Sequence, residues 1–394
     1  MSSALVAEIS PREKARFLEA ARVGGLWYLH NQNSPERPWG GVDGSADSGR
    51  FLYEYFPATG YSRGCGIWSQ GLASAALLQL SKTPVEPAED FAKAAELGMG
   101  YLFSLQIYDS RLPKSIGAFR EHTPQTAWGS CRDGASGCFA LATFHKLTGK
   151  AEYLERARDY CRWYRAHGSD EGGWPQRFFH HDRAESTQDV PGDWQAGGAL
   201  CYYYTARAGG DREWLDAGFK PVLDRLLEIG APRDVDGVDT GWHGESRVTV
   251  GNDDFATVAL MAGFRAFEDE RYLALARERV KWMASMQDAD GSFPNSGGTF
   301  VTALTLLDFV ELAAERGLKD DVGPLSAAVL RAARFGLGLQ CGEHRDLKAY
   351  GGFFGQSNYG VGRDRIHNRS TTYAMHFYLR LAGCQAPCLS AMGW

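Results

Sequence analysis

The sequence predicts an all-α fold: a closed (α/α)6 toroid of six outer and six inner helices, with residues 1–394 forming one domain. Three observations predict it. A degenerate pattern, in which a helix end runs into a polar loop, a glycine and usually an aromatic, occurs at 27–41, 101–119, 163–178, 226–242, 282–293 and 335–354. The helical stretches before these loops are amphipathic, with charge on one face. The stretches after them, 66–82, 133–150, 192–210, 252–269, 296–317 and 368–383, are apolar almost all round, as buried helices are.

Each element of the repeat has a physical reason. Glycine ends a helix because it takes positive φ cheaply. Asp and Asn favour the turn through local side-chain hydrogen bonds. The aromatic covers the helix end, and the Gln that closes several of the outer helices is expected to bond backbone groups of the next repeat. The third and fourth copies lack that Gln. Strands are hard to place; "GWHGESRVTV" reads as one short hairpin near 240–250.

Composition narrows the class. The chain is 44% hydrophobic and 23% charged, an ordinary globular balance. Its net charge of −6 argues against a nucleic-acid binder. No apolar run of membrane-spanning length occurs. "MSSALVAEISPREKARFLEAA" reads as a capped helix rather than a secretory signal, which predicts a cytoplasmic protein. The eight cysteines form no CxxC pair, and Cys138, Cys161 and Cys201 sit in apolar helical surroundings, as buried thiols do. No metal signature, P-loop, dinucleotide fingerprint or GxSxG is present, so neither a metal nor a cofactor is expected.

The topology predicts where function lies. Every polar loop runs from an outer helix end to an inner helix start, so the loops gather at one end of the barrel. Inner-helix N-termini point there and favour anions. The loops are basic although the chain is acidic. Arg120, His122, His180, Arg247, Arg363, Arg365 and Arg369 are the candidate binding residues, suited to an anionic ligand. Trp68, Asp193 and Trp194, at the starts of inner helices, are candidate ligand contacts. In "VGNDDFAT", Asn252, Asp253 and Asp254 open an inner helix. One of them suffices for an N-cap, which leaves a carboxylate for acid/base work. The dense loop at 353–375 adds Tyr359 and His367 as candidate bases, and His243 is another.

Two short resemblances bear on function. "WMASMQDADGSF" (282–293) resembles the QW repeat of squalene and terpene cyclases and protein prenyltransferases, which use α/α barrels. "GGWPQRF" (172–178) and "VGNDDFA" (250–256) resemble stretches of the pectate lyases of polysaccharide lyase family 10, also an α/α toroid. The first implies shared architecture; the second, with the basic loops, implies an enzyme cleaving an acidic, uronate-type oligosaccharide, with β-elimination favoured over hydrolysis. For elimination, Arg363 or Arg365 would bind the carboxylate, His243, His367 or Tyr359 would take the C5 proton, and Asn252 or Asp254 would hold the acid form of the carboxylate. For hydrolysis, Asp253 or Asp254 would be the general acid, with Asp193 or Glu121 as base. The alternatives are a terpene cyclase-like enzyme, which requires an apolar, aromatic-lined cavity, and a non-catalytic toroid that binds a ligand or a protein.

Overall fold

The computed structural model describes Leu5 and residues 9–39, 48–187, 193–230, 234–235, 238–239, 250–293, 299–355 and 364–384, with side chains left out at 193–195, 234–239 and 250–254. Its described residues form twelve α-helices in strict outer–inner alternation. The outer set is α1 (Pro11–Asn31), α3 (Ala88–Leu105), α5 (Ala151–Trp163), α7 (Lys220–Ile229), α9 (Glu270–Ser285) and α11 (Lys319–Leu337). The inner set is α2 (Ile67–Leu80), α4 (Gly134–Thr148), α6 (Leu200–Gly209), α8 (Val250–Phe267), α10 (Thr299–Glu315) and α12 (Asn368–Leu381). This is the expected (α/α)6 toroid.

Burial follows the two sequence patterns. Inner helix α10 is buried at every position from Thr299 to Val310. Outer helix α9 buries one stripe, Tyr272, Leu273, Leu275, Ala276, Arg279, Val280 and Met283. Inner helices pack side by side around the ring: α2 on α4, α4 on α6, the turn before α6 on α8, α8 on α10, α10 on α12, and α12 back on α2. Helix α1 packs on α12, and Arg334 of α11 pairs with Glu13 of α1 at 3.0 Å, which closes the outer layer.

The recurring Gln is the joint between repeats. Gln32 Nε2 donates to the Gly49 carbonyl at 3.1 Å and to Ala94 of α3 at 2.9 Å. Gln106 does the same with Gly117 (3.1 Å) and Arg156 of α5 (2.9 Å). Gln287 joins Gly291 (3.1 Å) to Ala328 of α11 (2.9 Å), and Gln340 joins Gly351 (3.0 Å) to Ala20 of α1 (2.9 Å). Each amide thus holds its own loop glycine and the next outer helix. The glycine has no substitute: Gly351 has φ +85°, and a Cβ there would lie 2.2 Å from the Val23 carbonyl oxygen.

The "GGWPQRF" stretch belongs to the third joint, which lacks the Gln. There Trp174 is buried, its amide donates to Asp170 Oδ1 at 2.8 Å, and Arg225 of α7 lies 4.7 Å over its ring.

Two small sheets stand among the loops. One has the order β2–β1–β8, formed by β1 (Leu52–Phe56), β2 (Tyr61–Gly64) and β8 (Ile366–His367). The other is β3 (Trp128–Ser130), β4 (Phe178–His180) and β5 (Glu185–Thr187). The hairpin expected at 240–250 lies outside the described residues except for Val250, which is helical. The short hairpin that is described, β6 (Asp234–Val235) with β7 (Val238–Asp239), comes earlier in the chain.

Candidate active site

At the inner-helix start end, a cleft of about 470 Å³ opens between the β2–β1–β8 sheet and the first turns of α2, α4, α8 and α12. Its walls come from Arg50, Tyr53, Arg63, Gly64, Gly66, Trp68, Ser69, Glu121, His122, Arg132, Asp133, Phe255 and Arg369. The volume is that of a small-ligand site.

The acid side of the cleft is built by the α3–α4 loop. Glu121 is held from both sides, its amide bonded to the Trp128 carbonyl (3.0 Å) and its own carbonyl accepting from Ile67 of α2 (2.8 Å). The residue is 6% exposed, and its carboxyl accepts from the Ser130 amide at 3.1 Å. Burial, and then the neighbouring Asp133 carboxylate to which it is hydrogen-bonded, push Glu121 well above the usual carboxylate range, to about 8. Asp133 in turn pairs with Arg132 at 2.7 Å.

His122, the next residue, is exposed on the cleft wall and packs edge-to-face on Trp128, with ring centroids 5.6 Å apart. Burial, followed by the charges of Arg50 and Arg63, lowers its pKa, so the imidazole is neutral at pH 7. The two side chains converge. A Cβ placed on Gly66 would lie 2.9 Å from His122 Nδ1 and 3.2 Å from Glu121 Oε1.

The basic side is carried by the β2–β1–β8 sheet. Buried Glu54 on β1 bridges Arg63 (2.6 Å) and Arg365 (3.0 Å). The Arg63 guanidinium lies 4.7 Å over the Tyr53 ring, and His367 meets that ring edge-on at 4.7 Å. His367 is 6% exposed; burial, then Arg369, Arg365 and Arg63, hold its pKa well below the ordinary value. It therefore stands neutral behind Tyr53.

Aromatics floor the cleft. Trp68 donates from Nε1 to Tyr373 Oη at 2.7 Å, meets Phe255 edge-to-face at 4.6 Å, and carries Arg132 5.5 Å above its ring. Below this pair lies a small apolar pocket lined by Leu72, Phe139, Leu200 and Tyr204, among others. Phe144, Tyr202 and Phe377 pack instead against Tyr153, Trp214 and Phe300 of the neighbouring helices. The described walls of the cleft thus combine four arginines and two acids with the aromatics Tyr53, Trp68 and Phe255, unlike the wholly apolar, aromatic-lined cavity that a cyclase requires.

Of the sequence candidates, Trp68, His122 and Arg369 line the cleft, while Arg365 and His367 stand behind its sheet wall. Arg120 is turned away, donating to the Thr126 carbonyl at 2.6 Å, and half-buried His180 lies on β4 opposite Trp128. His243, Arg247, Tyr359 and Arg363 lie outside the described residues, as do the side chains of Asp193, Trp194, Asn252, Asp253 and Asp254. Among the described residues no group of His, Cys, Asp and Glu is placed to hold a metal ion. Cys138, Cys161 and Cys201 are buried free thiols.

Sequence reasoning passed over Arg50, Tyr53 and Arg63. Their signal is "RFLYEYFPATGYSRG", two aromatic-rich runs separated by a Pro-Ala-Thr-Gly turn, which is a hairpin pattern.

No protein-family model matches the chain, and no curated protein is significantly similar to it. Solved structures do match in shape. A D-mannose isomerase superposes with a TM-score of 0.66 at 12% identity, over 96% of this chain and 98% of that one. The cellobiose 2-epimerase of Spirochaeta thermophila gives 0.65 at 16% identity, over 95% and 98%. A family 76 glycoside hydrolase (mannosidase) of Bacteroides thetaiotaomicron gives 0.62 at 13% identity, over 94% and 98%. At such identities these likenesses establish the fold, and the fold they share with this chain is the (α/α)6 toroid.

Proposed function

We propose that this protein is a carbohydrate-active enzyme that moves a proton on a sugar bearing an anionic group, using Glu121, Asp133 and His122. The observation that carries the reading is the convergence of Glu121 and His122 beside Gly66. Their environments push their pKa values apart, leaving a neutral imidazole beside a protonated carboxyl. That is the pairing a carbon acid needs. His122 takes the proton from the carbon next to a carbonyl or carboxylate. Glu121, supported by Asp133, gives its proton to the oxygen on which charge develops. Returning a proton to the neighbouring carbon isomerises the sugar, and returning it to the same carbon from the other face epimerises it. Expelling a group one carbon further on is the β-elimination expected from the sequence.

The sugar isomerase and epimerase among the structural neighbours support the first outcome. The arginines of the cleft, suited to a uronate carboxylate, support the second. Hydrolysis by the Glu121–Asp133 pair is disfavoured, because two hydrogen-bonded carboxyls stand closer than the roughly 5–9 Å that glycosidic cleavage uses. Phe255 lines the cleft directly after Asp254, which supports a part for Asp253 and Asp254 as further acids.

The test is incubation with aldoses, ketoses and hexuronides in deuterated water. Deuterium entering at the carbon next to the carbonyl is the expected result for isomerisation. Ultraviolet absorbance of an unsaturated uronate is the expected result for elimination. Products heavier by one water, with neither signal, would overturn proton transfer in favour of hydrolysis.

A further inference from the structure

Strand β2 enters helix α2 through a glycine turn that reads Arg63-Gly64-Cys65-Gly66-Ile67-Trp68-Ser69. Both glycines are there because other groups come close. A Cβ on Gly64 would lie 2.4 Å from Arg50 Nε, and one on Gly66 would lie 2.8 Å from the Glu121 carbonyl oxygen. The turn therefore admits Arg50 against its back, where Nε donates to the Cys65 carbonyl at 3.0 Å. Helix α2 begins at Gly66 without a side-chain cap. Trp68 and Ser69 of its first turn line the cleft, at the positive end of the helix dipole.

Charge accumulates around this turn. Arg63, Arg132 and Arg369 line the cleft with Arg50, and Arg369 Nε has no acceptor among the described residues. With Arg365 behind the wall, five guanidinium groups stand against the partnered carboxylates Glu54 and Asp133. Glu121 keeps its proton at neutral pH and offsets none of them. A single sugar carboxylate is satisfied by one guanidinium fork. Several forks around a glycine turn that feeds a helix N-terminus suit a doubly charged tetrahedral anion.

We propose that residues 63–69, with Arg50, Arg132 and Arg369, form a phosphate-binding subsite, and that the sugar handled in this cleft is a phosphate monoester. The proposal rests on the proton-transfer reading for the place of the sugar ring, but not for the place of the anion.

The experiment is calorimetric titration of the whole chain at low ionic strength with inorganic phosphate, a hexose 6-phosphate, a hexose 1-phosphate, the parent hexose and the matching hexuronate. Deuterium exchange is followed on the same sugars. One phosphate ester is expected to bind at least about tenfold more tightly than both hexose and hexuronate. Its binding should weaken as salt rises, and inorganic phosphate should compete with it. R369Q is expected to lose about tenfold in affinity for the ester; if that variant does not fold, the preference of the wild-type chain decides alone. A hexuronate bound as tightly as the ester overturns the subsite, and so does phosphate binding with no preference for the ester over the hexose. An ester that binds but never exchanges deuterium keeps the subsite and sinks the proton-transfer reading. Exchange into the hexose with the same kcat/KM as into the ester does the reverse.

Discussion

Gln32, Gln106, Gln287 and Gln340 perform one task at four points of the ring, whereas Glu121, His122, Asp133 and the cleft arginines each occur once. Both sets sit in loops at the same end of the barrel. The joints satisfy every donor of an amide with backbone carbonyls and leave nothing over for a ligand. The cleft does the opposite. It buries a carboxyl beside another carboxylate, crowds guanidinium groups together and leaves a helix start uncapped. The difference teaches that in a repeated scaffold the residues that recur hold the ring, and the residues that break the pattern are the ones left over to meet a ligand.

Substitutions should separate the two sets. The largest effect is expected in the cleft. E121Q and D133N should each lower kcat/KM by about a hundredfold or more, with the melting temperature little lowered. In the wild type, activity should fall as pH rises through about 8, because Glu121 then gives up its proton. The sign for stability is the same. The folded state binds this proton more tightly than the unfolded chain does, so Glu121's contribution is full below the ordinary carboxyl range and is lost as pH climbs to about 8. E121Q should flatten that slope in a pH series of thermal melts.

The next effect belongs to the joints. G351A should cost on the order of 2–3 kcal/mol in denaturant unfolding, since it adds a backbone clash to a positive φ. Q340A, which leaves the Ala20 and Gly351 carbonyls without their donor, should cost about 1–3 kcal/mol. Neither should move the pH profile of the surviving activity. A joint variant that shifted that profile would erase the distinction drawn here. The smallest effect is expected at the border of the two sets. W68F keeps the ring against Phe255 but loses the bond to Tyr373, and should cost about 1 kcal/mol and raise KM more than it lowers kcat.

The same contrast explains what was legible in the sequence. Helix period and the six loops are statistical features, repeated often enough to survive degeneracy, and they led to the toroid, the inner and outer sets and the reactive end. The bonds of Gln to the next repeat could be anticipated because one residue recurs at one place. Glu121 was legible as a candidate base and His122 as a candidate ligand contact, but their pairing was not. Their convergence depends on Gly66 and Asp133 approaching from other elements, and no periodicity encodes that. Arg50, Tyr53 and Arg63 were missed because strands of four or five residues, packed against helix starts, leave too short an alternation to stand out.

Closure of the ring also has a consequence for how the chain is made. The Ala20 carbonyl receives its donor from Gln340, 320 positions later, and Trp27 Nε1 bonds the Lys348 carbonyl from 321 positions away. The first helix therefore leaves the ribosome long before its partners exist. At synthesis rates of about 5–20 residues per second it waits on the order of half a minute with its apolar face open. Until the last repeat is made, the Ala20 carbonyl and the Trp27 indole lack the partners they have in the closed ring. The step that completes the native state is the meeting of the first repeat with the last.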